Sequence, residues 1–240
     1  MNKKVRLVLS VAICIAFIAT AFSCNAMAFF GSAEKTTYHK PKSLIEPVWS
    51  DRYNLVTLLL SDGTGGYDFD CAQDFLPFTA HTAVGPDDAI EATQDSYFLE
   101  SSIVASGTAS LRTESLPQVE WATADSGSLF YVMFNITKPV KFTIIGQISA
   151  RASSPMGEIE SRAAVRLGLD GSPKYILDHY ISLESGEKMI PFAIKGTLKP
   201  GAYYMSAWAT GYYNVPGKSF SHDTGAKSGY CINLDVTQIL

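Results

Sequence analysis

Apolar and polar residues alternate along several short segments of the chain. Between residues 140 and 150, every second position is apolar, and these positions share one face: Phe142, Ile144, Ile148 and Ala150. The positions between them are mainly polar, with Ile145 as the exception. Because successive side chains of a strand point to opposite sides, this pattern predicts a β-strand with one buried face.

Similar segments follow one another, separated by turn sequences. We predict a helical turn at residues 87–91 and an edge strand or bulge at Pro191, which cannot donate to a ladder. Short strands separated by Gly, Pro, Asp and Ser indicate an all-β sandwich or barrel. The nine predicted strands lie at residues 53–60, 97–104, 129–136, 140–150, 163–169, 175–183, 188–194, 202–210 and 230–237.

This succession predicts an all-β fold, an antiparallel two-sheet β-sandwich of jelly-roll or immunoglobulin-like type. We place the sandwich domain at residues 48–240. Residues 29–47 lack periodicity and predict a flexible leader.

The amino terminus has the three parts of a secretory signal peptide, which we place at residues 1–28. Basic residues precede an apolar run at residues 7–22, and small residues follow it. The run is shorter than the roughly 18–20 residues of a membrane-spanning helix, so we predict cleavage after Ala28 and no transmembrane segment afterwards. Lipidation at Cys24 is the less favoured alternative to cleavage after Ala28. The predicted location is secreted or on the cell surface.

Composition and charge narrow the classes of function. Hydrophobic residues make up 47% of the sequence and charged residues 18%, which is typical of a globular chain. Removal of residues 1–28 takes away three basic residues and no acidic ones, leaving 16 Lys and Arg against 23 Asp and Glu and a formal charge of −7. Binders of nucleic acid carry clustered Lys and Arg, so we exclude that class of partner.

Two cysteines remain after the signal peptide, Cys71 and Cys231. In an oxidising compartment, two thiols predict one disulfide. Such a bridge would close a loop of more than a hundred residues and stabilise the fold by roughly 4–5 kcal/mol on the chain-entropy model. Two separate free thiols are the alternative.

Three carboxylates surround flexible glycines in the segment at residues 62–70. Oxygen ligands from Asp62, Asp68 and Asp70 predict a calcium site, because Ca²⁺ prefers such ligands. The segment lacks the spacing of an EF-hand loop, and glycine with aspartate also forms ordinary solvated turns. Calcium is the only cofactor that the sequence indicates.

Aromatic residues cluster near the carboxyl end, and Trp208, Tyr212 and Tyr213 are the candidate ligand-binding residues. Flat rings on a β surface can stack on sugars. We expect Tyr212 and Tyr213 to be exposed because they lie beside Gly211. The alternative is that the cluster fills the core, since Tyr204 and Trp208 share one parity.

Three segments, at residues 129–134, 138–144 and 197–204, resemble exported bacterial β-sandwich proteins of the pre-peptidase C-terminal type and those associated with PEP-CTERM anchors. In that group a strand follows a Pro, and a later strand follows a Leu-x-Pro-Gly-x-Tyr turn. The resemblance implies a non-catalytic surface or matrix module. The chain departs from the group because it ends at Leu240 without a Pro-Glu-Pro signal.

These observations predict an exported, non-catalytic surface or extracellular module. Its partner would be a polysaccharide, or copies of itself in an extracellular structure. The alternative is a secreted hydrolase in which carboxylates from different loops meet as acid and base.

Overall fold

The computed structural model describes residues 43–114, 116, 120–154, 158–216 and 225–239. This part of the chain contains twelve strands and one short 3₁₀ turn, Pro86–Asp88. The strands are β1 Ile45–Leu60, β2 Gly65–Ala72, β3 Phe78–Val84, β4 Ile90–Phe98, β5 Ser102–Arg112, β6 Trp121–Ile136, β7 Val140–Ser153, β8 Glu158–Leu169, β9 Tyr175–Leu183, β10 Gly186–Leu198, β11 Gly201–Pro216 and β12 Gly225–Gln238.

The strands form two antiparallel sheets of six. The first sheet has the order β2-β1-β6-β11-β8-β9, and the second has the order β10-β7-β12-β5-β4-β3. The sheets pack face to face, with β11 against β12 and β6 against β5. The predicted all-β, two-sheet sandwich is therefore confirmed.

The strict alternation of side chains decides which residues enter the core. In β6 the even-numbered residues Phe130, Val132 and Phe134 are fully buried between the sheets. Their odd-numbered neighbours in β6, such as Tyr131, lie on the outer face and are half-buried. The period of two thus gives each strand one core face and one outer face.

The interior also holds polar side chains that join the two sheets. The side-chain amide of Asn54 on β1 donates to the carbonyls of Ala80 and Ala92 on β3 and β4 of the opposite sheet, at 3.1 and 3.2 Å. Gln94 on β4 donates in the reverse direction to the carbonyl of Leu129 at 3.0 Å. A buried donor without a partner would be costly, so these bonds fix how the sheets face each other.

Arg52 on β1 is the largest buried polar group. Its side chain is 0% exposed, and its guanidinium lies over the rings of Phe78 and Phe98 at 5.3 and 5.2 Å. The guanidinium donates to the carbonyls of Leu76 and Asp74 at 2.9 and 2.8 Å, and to the carboxylate of Asp74 at 2.9 Å. One buried cation therefore anchors the loop between β2 and β3.

Several strand predictions need correction. The predicted strand at 97–104 contains a turn, because β4 ends at Phe98 and β5 begins at Ser102. Strands β2 and β3 lie where we predicted none, and the predicted helical turn is limited to Pro86–Asp88. Pro191 lies on β10, which is an edge strand, as predicted.

The predicted boundary of the leader is also too late. Strand β1 begins at Ile45, whose side chain is buried in the core, so the domain starts before residue 48. The signal peptide, the alternative lipidation at Cys24 and the rest of the leader up to residue 42 lie outside the described residues. Within the described ranges, no helix has the length and apolar character needed to span a membrane.

We predict that Arg52 contributes far more to stability than its ion-pair partner does. Arg52→Met should lower the free energy of unfolding by about 2–4 kcal/mol, because it leaves the buried Ser96 hydroxyl and the part-buried Leu76 and Asp74 carbonyls without this donor. Asp74→Asn should cost less than about 1 kcal/mol, because the Asp74 side chain is 58% exposed and the pair is screened by water. Urea unfolding of both variants, with exposed Lys141→Met as the control, tests this. Equal losses for the two variants would contradict it.

Candidate functional site

The outer face of the first sheet carries most of the accessible aromatic side chains of the strands. We call this surface the aromatic face. Its rings come from β1, β2, β6, β11 and β9, and they occupy the strand positions that point away from the core. They are Trp49, Tyr53, Tyr67, Phe69, Tyr131, Tyr175, Tyr180, Tyr204, Trp208 and Tyr212.

One row of rings crosses the strands without interruption. Trp49 contacts Tyr131 with 5.3 Å between ring centroids, and Tyr131 contacts Tyr204 at 6.0 Å with planes only 4° apart. Tyr204 then meets Tyr175 edge-on at 6.4 Å. The row spans β1, β6, β11 and β9, which is most of the width of the sheet.

A second group of aromatic rings lies along the same face. Trp208 on β11 contacts Tyr180 on β9 at 5.8 Å. Tyr53 on β1 contacts Phe69 on β2 at 6.0 Å. Trp208 lies four residues from Tyr204, so about 13 Å of strand separates their positions.

A glycine makes room for the first row. Gly168 on β8 lies directly opposite Tyr204 in the register of β8 and β11. A Cβ atom at position 168 would lie 2.8 Å from three atoms of the Tyr204 phenol. The ring of Tyr204 therefore passes over β8 and bridges β11 to Tyr175 on β9. Backbone conformation does not require this glycine, because its φ is not in the left-handed region.

The two arginines near the rings are paired with carboxylates. Arg166 donates to Asp178 at 3.0 Å and lies 5.4 Å from the centre of the Tyr175 ring. Arg162 binds the carboxylate of Glu160 with two nitrogens. Hydrogen bonds to Arg162 lower the pKa of Glu160. The positive charge of these two arginines is thus neutralised locally by Asp178 and Glu160.

Asp125 is an unusual carboxyl on this face. It lies on β6 between Thr57 of β1 and Tyr212 of β11. Burial raises its pKa to about 7, and a hydrogen bond from Thr57 partly opposes this shift. Its Oδ2 atom is shielded from solvent and has no hydrogen-bond partner among the described residues. Sequence reasoning missed Asp125 as a site residue, because burial on an outer face has no signature in local sequence.

The outer face of the second sheet has a different chemistry. Threonines are prominent there, as in the pair Thr93 and Thr108, whose hydroxyls are 2.7 Å apart on β4 and β5. Tyr97 on β4 is its one exposed aromatic residue among the described strand positions. The two faces of the sandwich are therefore not equivalent as binding surfaces.

The structure separates the three predicted ligand-binding residues. Trp208 and Tyr212 lie on the aromatic face and are half-buried. Tyr213 is 1% exposed and packs in the core, so its predicted exposure is wrong. The reason is that β11 continues to Pro216, and the alternation then turns Tyr213 inward. Whether Trp208 and Tyr212 bind a ligand stays a prediction.

The three aspartates of the predicted calcium site do not converge. Asp62 accepts hydrogen bonds from the amide and hydroxyl of Thr64 in a tight turn, at 2.8 and 2.6 Å. Asp68 accepts from the amide of Ala83 at 3.1 Å, and Asp70 lies further along β2. Within the described ranges, no group of three potential ligands could hold a metal. The three carboxylates are held apart because β2 extends the segment as a strand, and calcium binding stays a prediction.

The predicted disulfide between Cys71 and Cys231 is also wrong. Cys231 is a free, exposed thiol on β12. It lies on the outer face of the second sheet, whereas Cys71 lies on β2 at the edge of the first. The positions belong to different sheets, which sequence spacing does not reveal.

The hydrolase hypothesis called for two carboxylates about 5–10 Å apart. Asp125 and Glu160 lie two strands apart in one row of the aromatic face, so their backbones are about 10 Å apart. However, Glu160 is engaged by Arg162 and also accepts from Ser182 at 2.6 Å. We assign no acid and base pair, and hydrolysis stays a hypothesis.

The sequence matches no family model and no curated protein. The predicted resemblance to pre-peptidase C-terminal and PEP-CTERM-associated proteins therefore stays a prediction.

Among solved structures, the enzymatically active domain of bacteriophage CBA120 tailspike protein 4 is 13% identical with a TM-score of 0.28, over 67% of this chain and 19% of that chain. A CBM4 structure is 9% identical with a TM-score of 0.26, over 67% and 78% of the two chains. The N-terminal cellulose-binding domain of β-1,4-glucanase C from Cellulomonas fimi is 17% identical with a TM-score of 0.23, over 67% and 91%. The chain thus spans about a fifth of the tailspike structure, and its fold assignment depends on its own two sheets.

We predict that Asp125 makes stability depend on pH. Between about pH 4 and pH 7, the folded protein holds a proton on this carboxyl that the unfolded chain has released. The stabilisation of the protonated form is therefore complete below about pH 4 and is lost as the pH rises through about 7. Between about pH 5 and pH 8, native protein should lose on the order of 3 kcal/mol relative to Asp125→Asn.

Urea unfolding of both proteins at these two pH values measures the difference. Asp70→Asn replaces an exposed aspartate and is the control. Parallel pH profiles for native protein and Asp125→Asn would refute the assignment of a neutral carboxyl.

Proposed function

We propose that this protein is a glycan-binding module that holds a carbohydrate chain across the aromatic face. The carrying observation is the row of rings from Trp49 through Tyr131 and Tyr204 to Tyr175. Sugars expose apolar C–H surfaces that pack on aromatic rings, while their hydroxyls need polar partners. A row with rings from four strands offers successive contacts to an extended chain.

The phenols of the row can also serve the hydroxyls of a sugar. Burial raises the pKa of Tyr131 and of Tyr204 above the usual value for tyrosine. Both groups therefore stay neutral at physiological pH and keep an O–H donor together with an acceptor oxygen. Rings and hydroxyls together suit a ligand with alternating apolar and polar surface.

The charges of the face favour a neutral glycan over an acidic one. Arg166 and Arg162 are the cations next to the rings, and each is bonded to a carboxylate, Asp178 and Glu160 respectively. An acidic sugar would have to displace these carboxylates to gain an ion pair. A neutral chain can bind without that cost.

Self-assembly, the other predicted activity, has less support. Strand β10 is an exposed edge of the second sheet, but it carries Pro191 together with exposed Lys188 and Lys195. Proline and lysine on an edge oppose the addition of another strand. We retain export to the cell exterior as part of the proposal, because the sequence of residues 1–28 resembles a signal peptide.

We predict that exposed rings of the aromatic face contribute to binding and that a matched ring elsewhere does not. Tyr175 is 46% exposed and Tyr180 is 48% exposed. Replacing either one with alanine should weaken binding about tenfold. Tyr97→Ala removes a tyrosine that is 42% exposed on the other sheet and should leave affinity unchanged.

Affinity electrophoresis in gels containing hydroxyethyl cellulose, xylan, galactan or dextran measures retention, and calorimetry then gives the affinity for the polymer that binds. Cellulose is included because a similar structure is a cellulose-binding domain. No retention on any neutral polymer, or equal loss in Tyr97→Ala, would overturn the proposal.

We predict that Gly168→Ala weakens the same binding without a change in the ligand-contacting side chains. The added methyl group would displace the Tyr204 ring from its place over β8 and interrupt the row. We expect a loss of about fivefold to tenfold in affinity with a small change in thermal stability, since the ring lies on the outer face. Gly66→Ala on β2, where the added Cβ would lie at an ordinary contact distance of 3.7 Å from Val84 and φ is not in the left-handed region, controls for the extra methyl group and should not affect affinity. Unchanged affinity in Gly168→Ala would exclude Tyr204 from the binding surface.

A further inference from the structure

A pocket on the opposite side of the sandwich concentrates positive charge. It lies on the outer face of the second sheet, where β7, β12, β5 and β4 run side by side, and has a volume of about 350 Å³. Three cationic residues line it, Arg112, Arg151 and Lys227. The chain as a whole is acidic, with a net charge of −4, so the charge of this cluster is opposite in sign to the net charge of the chain.

Two of these cations are direct neighbours in the sheet. Arg151 on β7 and Lys227 on β12 are register partners, and both side chains are exposed. Like charges directly opposite on adjacent strands destabilise a sheet. Among the described residues, neither makes an ion pair. The repulsion is therefore uncompensated within the described part of the chain.

The third cation is held in position by backbone groups. Arg112 donates from Nη2 to the carbonyls of Asp87 and Asp88 at 2.7 and 2.9 Å. These bonds fix the guanidinium at the end of β5 without neutralising it. The register of β5 with β12 places Arg112 opposite Gly225, two residues from Lys227.

Two carboxylates, Glu91 and Glu114, also line the pocket, and their positions limit where an anion could bind. Glu91 on β4 lies opposite Ser110 on β5, and Ser110 in turn lies opposite Lys227 on β12. The carboxylate of Glu91 is 3.6 Å from the imidazole of His81. His81 is on β3, on the far side of β4 from the cations. Glu114, at the end of the pocket, is exposed. The cationic end between β7 and β12 is thus distinct from the acidic end near β4.

We propose that this pocket binds an oxyanion, a sulfate or phosphate group, between the Arg151 guanidinium and the Lys227 ammonium. A tetrahedral anion would bridge the two cations and convert their repulsion into two charge-assisted hydrogen-bond contacts. Ser110, which lies beside Lys227 in register, supplies a hydroxyl donor. The anion is either a free ion or a group on a polymer, since the pocket is open to solvent.

Thermal unfolding in sodium sulfate or sodium phosphate, compared with sodium chloride at equal ionic strength, tests the site. We expect sulfate or phosphate to raise the Tm of native protein by about 2–4 °C more than that of Lys227→Gln or Arg151→Gln. Lys141→Gln removes an exposed cation from the other end of β7 and should keep the full response. General salting effects act on all four proteins alike, so the difference between them is the readout.

Calorimetric titration with poly(vinyl sulfate), a polymer without sugar rings, distinguishes the two sources of the anion. A variant-dependent response to the inorganic ions identifies a site for a free ion. Binding of the polymer alone, lost in Lys227→Gln and Arg151→Gln, identifies a group carried on a chain. If neither the ions nor the polymer distinguish these variants from Lys141→Gln, the proposal is wrong.

Discussion

The antiparallel register of β6 with β1 and β11 is the constraint on which the rest of the structure depends. These three strands form the middle of the first sheet, and their pairing extends over nearly the whole length of β6. The core requires Phe130, Val132 and Phe134 on one side of β6. Alternation then forces Tyr131 outward, next to its neighbours on β1 and β11. A shift of this register by one residue would turn the core residues of β6 outward and its aromatic-face residues inward.

The sequence predicted a sandwich because several strands show a clear difference between their two faces. Strand β7 is such a case: Phe142, Ile144 and Ile148 are buried, and the polar positions between them face outward. Strand β11 is different, because tyrosines occupy both parities, as in Tyr203 and Tyr204. When both faces are apolar, a period of two identifies a strand but not its buried side. That ambiguity explains why the exposure of Tyr213 was predicted wrongly.

Predictions that depended on local composition failed for a different reason. Glycine and aspartate at residues 62–70 are typical of a loop, yet β1 pairs with Gly65–Ala72 and extends this segment as a strand. Tertiary pairing overrides local preference here, and the carboxylates of Asp68 and Asp70 are fixed along a strand instead of around a cation. The disulfide prediction likewise used only the number of thiols, and topology placed Cys231 on the other sheet.

The residues that stabilise the sandwich lie in its core, whereas the residues proposed to bind a ligand lie on an outer face. Substitutions can therefore change binding without changing stability. Arg52, Asn54 and Gln94 are buried and join the two sheets by hydrogen bonds to Ser96, to Ala80 and Ala92, and to Leu129. The rings of Tyr175 and Tyr180 are on the surface and can be removed without opening a cavity in the core. Gly168 acts differently, because it affects the surface through the position of Tyr204 alone. A loss of affinity at Gly168 with retained stability would therefore show that the arrangement of the rings, and not their number, determines binding.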